Sequence, residues 1–295
     1  MKKTIFRGAG VALVTPMHSD GSVNYEKLKE LVDFHVENGT DAIIVCGTTG
    51  ESSTLDEKEH LETIRVVIDH TAGRIPVIAG TGSNDTAFAV QLSKDAAALG
   101  ADGLLSVTPY YNKTSQAGLI AHFSAIADAV DCPIILYNVP SRTGTAFQTA
   151  TYAKLAGHPN IVGIKEANAN LSMMARTMAA CGDNIDIYSG NDDEVVPCLS
   201  LGGAGVISVL SNVAPRIVHE MCYDFFEGRI KEARDLQVGY AELICALFSD
   251  VNPIPVKEAM NLMGMNVGPC RLPLVPMSEE ARQNLKVRLA EKGLL

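Results

Sequence analysis

Lys165 and Tyr137 are the residues of this chain whose types and spacing most directly allow covalent chemistry. Lys165 lies in Ile161-Val162-Gly163-Ile164-Lys165-Glu166-Ala167, an apolar segment of strand length that ends in charge. Tyr137 lies 28 residues upstream in Cys132-Pro133-Ile134-Ile135-Leu136-Tyr137-Asn138-Val139-Pro140, a run of the same form. Placed at the ends of neighbouring parallel strands, an amine and a phenol would share one pocket. The amine could then attack a carbonyl while the phenol moves protons. Alone, Lys165 has an ordinary reading as a solvated or ion-paired side chain, because lysine is rarely buried without a partner.

Other reactive groups follow further apolar runs. Gly47-Thr48-Thr49-Gly50-Glu51 is a tight turn rich in hydroxyls and free amides, and such turns also serve simply to start a helix. Thr108-Pro109-Tyr110-Tyr111-Asn112 carries paired tyrosines, which are as often packing or interface residues. Pro140-Ser141-Arg142-Thr143-Gly144 offers a guanidinium to a carboxylate, or a plain surface charge. In Ser189-Gly190-Asn191-Asp192 the acidic side chains read as the N-terminus of a helix. Together the groups specify more than each does singly. A lysine amine must lose its proton to attack a ketone, so burial or a nearby cation has to favour the neutral form. Forming and dehydrating the carbinolamine needs a proton relay, for which Tyr137, Thr48 and Tyr111 suffice. Arg142 would hold a carboxylate and present the carbonyl. These parts describe Schiff-base chemistry on an α-keto acid.

The elements that must position these groups recur along the chain. Eight apolar runs, Gly10–Thr15, Ala42–Cys46, Pro76–Ala79, Gly103–Val107, Pro133–Tyr137, Ile161–Lys165, Ile185–Tyr188 and Gly205–Val209, are about 30 residues apart at first and closer later. Amphipathic stretches lie between them. Tyr25–Glu37 places Leu28, Leu31, Val32, His35 and Val36 on one face; Leu55–Thr71 places Leu61, Ile64 and Ile68 on one face behind a Thr54-x-x-Glu57 capping box. Gly39 and Gly100 each end a helical pattern directly before an apolar run. Strand and helix alternating eight times predict a closed parallel (β/α)8 barrel, the TIM barrel, over residues 1–225. An open doubly wound sheet binding a nucleotide would carry a Gly-x-Gly-x-x-Gly turn or a P-loop, and neither is present. Residues 226–295 read as a C-terminal helical appendage, with helices over Ile230–Phe248, Pro255–Met263 and Ser278–Glu291.

Composition bounds the function. A chain of 295 residues that is 47% hydrophobic and 20% charged fits a soluble globular protein. A net charge of −10 argues against general binding of nucleic acid or anionic membranes. The seven cysteines form no Cys-x-x-Cys pair and the seven histidines no His-Glu-x-x-His arrangement, so no metal and no cofactor is implied. Met1-Lys2-Lys3 resembles the start of a signal peptide, but Arg7 interrupts the run and Ala9–Val14 is too short for its apolar core. No segment has membrane-spanning length, and a cytoplasmic protein is expected.

Gly47-Thr48-Thr49-Gly50-Glu51, Tyr137 through Gly144, Gly163-Ile164-Lys165-Glu166 and Asn252-Pro253-Ile254-Pro255-Val256-Lys257 together resemble the dihydrodipicolinate synthase family, over nearly the whole chain. The resemblance implies that Lys165 forms an imine with pyruvate and that Tyr137 is the acid/base, with Thr48 and Tyr111 in its relay. It implies that Tyr111 crosses a dimer interface into the neighbouring site. It assigns Thr49, Gly190 and Ile207 to bound pyruvate and Arg142 to the carboxylate of L-aspartate 4-semialdehyde. The product would feed lysine and diaminopimelate synthesis, and the protein would be a homo-oligomer, a tetramer built as a dimer of dimers. Members inhibited by lysine bind it through a serine, two histidines, an asparagine, a glutamate and a tyrosine. Ser52, His60, Asn84 and Tyr110 match that set, whereas Glu57 stands in place of the first histidine and Phe88 in place of the glutamate. Weak inhibition or none is expected. Two rival readings are a sibling aldolase cleaving a sugar acid such as sialate, against which Arg142 argues, and a non-catalytic sensor of a keto acid or lysine, against which the complete reactive set argues.

Overall fold

Alternation of small and branched apolar residues sends one set of side chains into a barrel and the next set out towards helices, and this decides the architecture. In the computed structural model, which describes residue 2 and residues 4–295, the strands are β1 (Gly8–Ala12), β2 (Ala42–Val45), β3 (Val77–Gly80), β4 (Gly103–Val107), β5 (Ile134–Asn138), β6 (Ile161–Glu166), β7 (Asp186–Ser189) and β8 (Gly205–Ser208). All pair in parallel and in sequence order, and β8 closes on β1, giving the expected barrel. Phe6, Ala12, Ile44, Ile78, Leu105, Ile135, Tyr137, Tyr188 and Ile207 fill the interior, while Ile43, Val45, Leu104, Leu136 and Ile164 pack outward. Within the N-terminal Met1-Lys2-Lys3 start, Met1 and Lys3 lie outside the described residues.

The helices of the repeating units are α1 (Tyr25–Glu37), α2 (Glu57–Thr71), α3 (Thr86–Ala98), α4 (Gln116–Asp128), the short α5 (Pro140–Thr143), α6 (Thr149–Leu155), α7 (Leu171–Cys181), α8 (Val195–Ser200) and α9 (Pro215–Phe226). They are followed by α10 (Ile230–Gly239), α11 (Ala241–Leu247), α12 (Ile254–Leu262) and α13 (Glu279–Glu291). Gly39 and Gly100 take φ of +78° and +95°, the left-handed conformation that ends α1 and α3 before the next strand. Among the described residues, no helix is long and apolar enough to cross a membrane.

Three local expectations need correction. The capping box of α2 is Asp56 with Glu59, two residues later than expected, because Ser52–Thr54 forms a 3-10 turn and the Thr54 hydroxyl is spent on the Glu51 carbonyl. The buried face of α2 carries His60, Ile64 and Val67, and Leu61 and Ile68 are only half-buried. The stretch Ile230–Phe248 is two helices rather than one, broken at Tyr240 after Gly239. One irregularity bears on the site: the β5–β6 register shifts between Ile134 and Ile135, so that Ile134 faces Ile161 but Ile135 faces Gly163.

Candidate active site

Above that shift, β5 and β6 bring Tyr137 and Lys165 into direct register, and on the far side of Lys165 stands Tyr188 of β7. Lys165 is 6% exposed, as is Tyr137, and its ammonium nitrogen lies 4.3 Å from the centroid of the Tyr137 ring. Tyr188 is turned away from this chemistry, stacked on Phe6 at 4.4 Å with its hydroxyl donating to the Phe6 carbonyl at 2.7 Å. Gly190 and Ile207 complete the surroundings. A Cβ on Gly190 would collide with the Ala167 methyl at 2.7 Å and crowd Lys165 Cε at 3.2 Å, so the absence of a side chain there leaves space beside the lysine. Ile207 is 1% exposed and belongs to the same interior cluster as Tyr137.

The Thr48-Thr49 turn is held in place from the distant helical segment. Asn252 Nδ2 donates to Thr49 Oγ1 at 3.0 Å, and the Asn252 carbonyl accepts from Arg142 Nη2 at 3.2 Å, so one residue ties Thr49 to Arg142. Two residues beyond Thr49, Glu51 adopts a left-handed φ of 54° and buries its carboxylate against Lys257 at 2.8 Å. Both side chains are 2% exposed. Lys257 also donates to the carbonyls of Thr15 and Pro269, and Glu51 Oε2 accepts from the Arg271 amide, so the pair is fully hydrogen-bonded. Removing one partner of such a pair typically costs about 3–5 kcal/mol. The motif Asn252 to Lys257 thus acts on the site through the turn that it fixes.

Arg142 is exposed on α5 and, with Thr48, Val139 and Tyr110, lines a cleft of about 370 Å³. Lys165 and Tyr137 are not among its walls and belong to the barrel interior. Ser52, Glu57, His60 and Phe88 line the same cleft, whereas Asn84 lines an adjoining cavity with Asn112 and His122. The His60 ring bonds the Gly80 carbonyl at 2.7 Å, and burial lowers its pKa, which leaves it neutral at pH 7. Tyr111 differs from every other residue of the predicted set. It is 92% exposed, with φ of 68°, a conformation uncommon for a bulky side chain.

Two features of the site, Glu166 and Asn252, have no role in the sequence analysis, and a third, Asp192, departs from the helix N-terminus expected of it. Asp192 is buried, and its Oδ2 accepts from the amides of Val209 and Leu210, so it caps the turn after β8 rather than the helix that follows it in sequence. Burial pushes its carboxyl up, opposed by those hydrogen bonds and by the charge of Lys165. Glu166 is likewise buried behind Lys165, where burial pushes its carboxyl up to about 7 against hydrogen bonds from Asn138 and Tyr152. A buried carboxylate directly after a strand-end lysine was the available signal for Glu166; the contacts of Asp192 and Asn252 have no local signature. Among the described residues, no cluster of histidine, cysteine, aspartate or glutamate has the form of a metal site.

Comparison with known proteins agrees with this geometry. Residues 5–292 match the Dihydrodipicolinate synthetase family. A 4-hydroxy-tetrahydrodipicolinate synthase of Caldicellulosiruptor bescii is 58% identical over 291 residues, covering 99% of this chain and 98% of its own. The crystal structure of the chloride-inhibited dihydrodipicolinate synthase from Acinetobacter baumannii complexed with pyruvate superposes with a TM-score of 0.97 at 44% identity, covering 99% of this chain and all of that one. The synthase of Cyanidioschyzon merolae with lysine bound gives a TM-score of 0.97 at 46% identity, with the same coverage. With a family match over nearly its whole length and a barrel that sets a lysine beside a tyrosine, this chain belongs to the dihydrodipicolinate synthetase family.

Proposed function

We propose that this chain condenses pyruvate with L-aspartate 4-semialdehyde to 4-hydroxy-tetrahydrodipicolinate through a Schiff base on Lys165, in lysine and diaminopimelate synthesis. The observation that carries the reading is the register pairing of Lys165 with Tyr137 on the interior face of β5 and β6. The Lys165 amine attacks the pyruvate ketone, and the carbinolamine loses water to give the imine. Tyr137 supplies the proton for the departing hydroxyl and recovers one later, with Thr48 and Tyr111 relaying to solvent. Loss of a methyl proton from the imine gives an enamine, whose carbon attacks the aldehyde. The amine of the second substrate then adds to the imine carbon and expels Lys165, which closes the ring and frees the enzyme.

Thr49 and Gly190, with Ile207, contact bound pyruvate, and Arg142 takes the carboxylate of the semialdehyde. Asn252 keeps Thr49 and Arg142 at a fixed separation, which supports their serving two substrates in one step. Tyr111 acts in the site of a neighbouring copy, a reading supported by its exposure and strained backbone. The assembly is a homotetramer, a dimer of dimers, in the cytoplasm. Residues 1–225 form the catalytic barrel unit and 226–295 the helical appendage. Ser52, His60, Asn84 and Tyr110 form the remnant of a lysine site. Phe88 offers no carboxylate to a lysine ammonium, so feedback inhibition is weak or absent. Comparing kcat/KM for pyruvate with aspartate semialdehyde against turnover of sugar acids tests the assignment. Turnover of the semialdehyde supports it, and a preference for sialate would replace it with the sibling activity.

A further inference from the structure

The residues directly after the catalytic candidates are also paired. Asn138 faces Glu166 across β5 and β6, one step beyond Tyr137 and Lys165. Because side chains alternate along a strand, this second pair points out of the barrel towards α6. There Asn138 Nδ2 donates to Glu166 Oε1 at 2.8 Å, the Tyr152 hydroxyl donates to Oε2 at 2.9 Å, and the Asn168 amide donates to Oε1 at 3.1 Å. Asn138 Oδ1 in turn accepts from the Phe147 amide at 3.4 Å. Asn138, Glu166 and Tyr152 are 0%, 3% and 0% exposed.

Cohesion does not explain this network. The layer around it is apolar, with Leu136, Ile164, Phe123 and Phe147, and Tyr152 stacks on Phe147 at 4.6 Å. Burial drives the Glu166 carboxyl up to about 7, so its ionised form is disfavoured here even with its donors in place. An apolar side chain of similar size would pack without that cost. The position of the network supplies a reason. It sits on the one strand pair carrying both candidates, just above the register shift at Ile134 and Ile135. Pairing next to an irregularity is the least secure, and a one-residue slip would turn Lys165 or Tyr137 out of the barrel.

We propose that Glu166, gripped by Asn138 and Tyr152, is a positioning residue that fixes the register and separation of Lys165 and Tyr137 across the β5–β6 seam. This rests on the roles given above to Lys165 and Tyr137. Glu166→Leu removes the grip while filling its volume. Glu166→Gln keeps an acceptor for Asn138 and the Asn168 amide and lets the Tyr152 hydroxyl rotate to accept. Melting temperature, kcat and the KM for pyruvate are measured for both. The expected result is a Leu variant that melts no lower than the parent yet loses about 10- to 100-fold in kcat with little change in KM, and a Gln variant that retains most of its kcat. A folded Leu variant with parental kcat overturns the proposal, and so does a Gln variant as impaired as the Leu one. Should Glu166→Leu fail to fold, Tyr152→Phe, which removes one donor from an aromatic position, is expected to lower kcat at unchanged KM, and parental kcat there is contradictory. Borohydride trapping of the parent with pyruvate separates the two levels: label on Lys165 with an inert Glu166 refutes only the grip, and no label on Lys165 removes the catalytic reading and the grip together.

Discussion

Tyr137 and Tyr111 carry the same phenol in opposite situations. Tyr137 is 6% exposed at the end of β5, one strand away from Lys165, and its position is set by strand register. Tyr111 is 92% exposed in the loop after β4, on backbone of positive φ. A single chain therefore buries the proposed imine-forming pair by itself and leaves Tyr111, the proposed far end of the proton relay, facing solvent. The difference separates what the barrel fixes by strand register from what the proposed assembly would add.

The largest effect is expected of Tyr137→Phe, which removes the buried hydroxyl proposed as acid/base and should lower kcat by about 10²–10⁴-fold; steady-state kinetics with both substrates check it, and a loss below tenfold would assign the proton transfer elsewhere. Tyr111→Phe should cost less, about tenfold or more, because solvent stands in for the end of a relay. Coexpressing Tyr111→Phe with Lys165→Ala chains should restore part of the activity through mixed dimers, whereas full activity of Tyr111→Phe alone would leave Tyr111 without a role in the relay.

A smaller effect lies in stability against pH. Glu166 is raised from the ordinary 4.5 to about 7, so the folded chain holds a proton that the unfolded chain releases, and its contribution is lost as pH rises through that window. His35 acts oppositely: burial lowers it from 6.5 to about 3, and stability from burying it neutral is lost as pH falls below 6.5. Subtracting one melting curve from another isolates the carboxyl, and the advantage of Glu166→Gln over the parent should grow between pH 5 and pH 8. The smallest effect expected is on feedback. L-lysine at physiological concentrations should leave activity nearly unchanged, and strong inhibition would mean that Glu57 compensates for Phe88.

Much of this was legible in the sequence where a local period carried it. The boundaries of α1 follow from its stripe of Leu28, Leu31, Val32 and His35, and the barrel from eight apolar runs. Lys165 and Tyr137 stood out because charged and phenolic groups end buried strands. The supports of the site were not legible, because their partners are far apart in the chain. Thr49 and Asn252 are separated by 203 residues and Glu51 and Lys257 by 206, and no period links them. Asp192 was misplaced for a related reason: acidic residues before a helix cap that helix by default, and only the closed barrel brings the amides of Val209 and Leu210 within its reach. At α2, two acceptors, Thr54 and Asp56, competed within three residues, and a tertiary turn decided between them.

Borohydride reduction in the presence of pyruvate, followed by peptide mass mapping, decides whether Lys165 forms a covalent imine with pyruvate. One reduced adduct is expected, on the peptide containing Lys165, and none in Lys165→Ala; a protein that turns over substrate with no adduct, or with its adduct on another lysine, would overturn the imine.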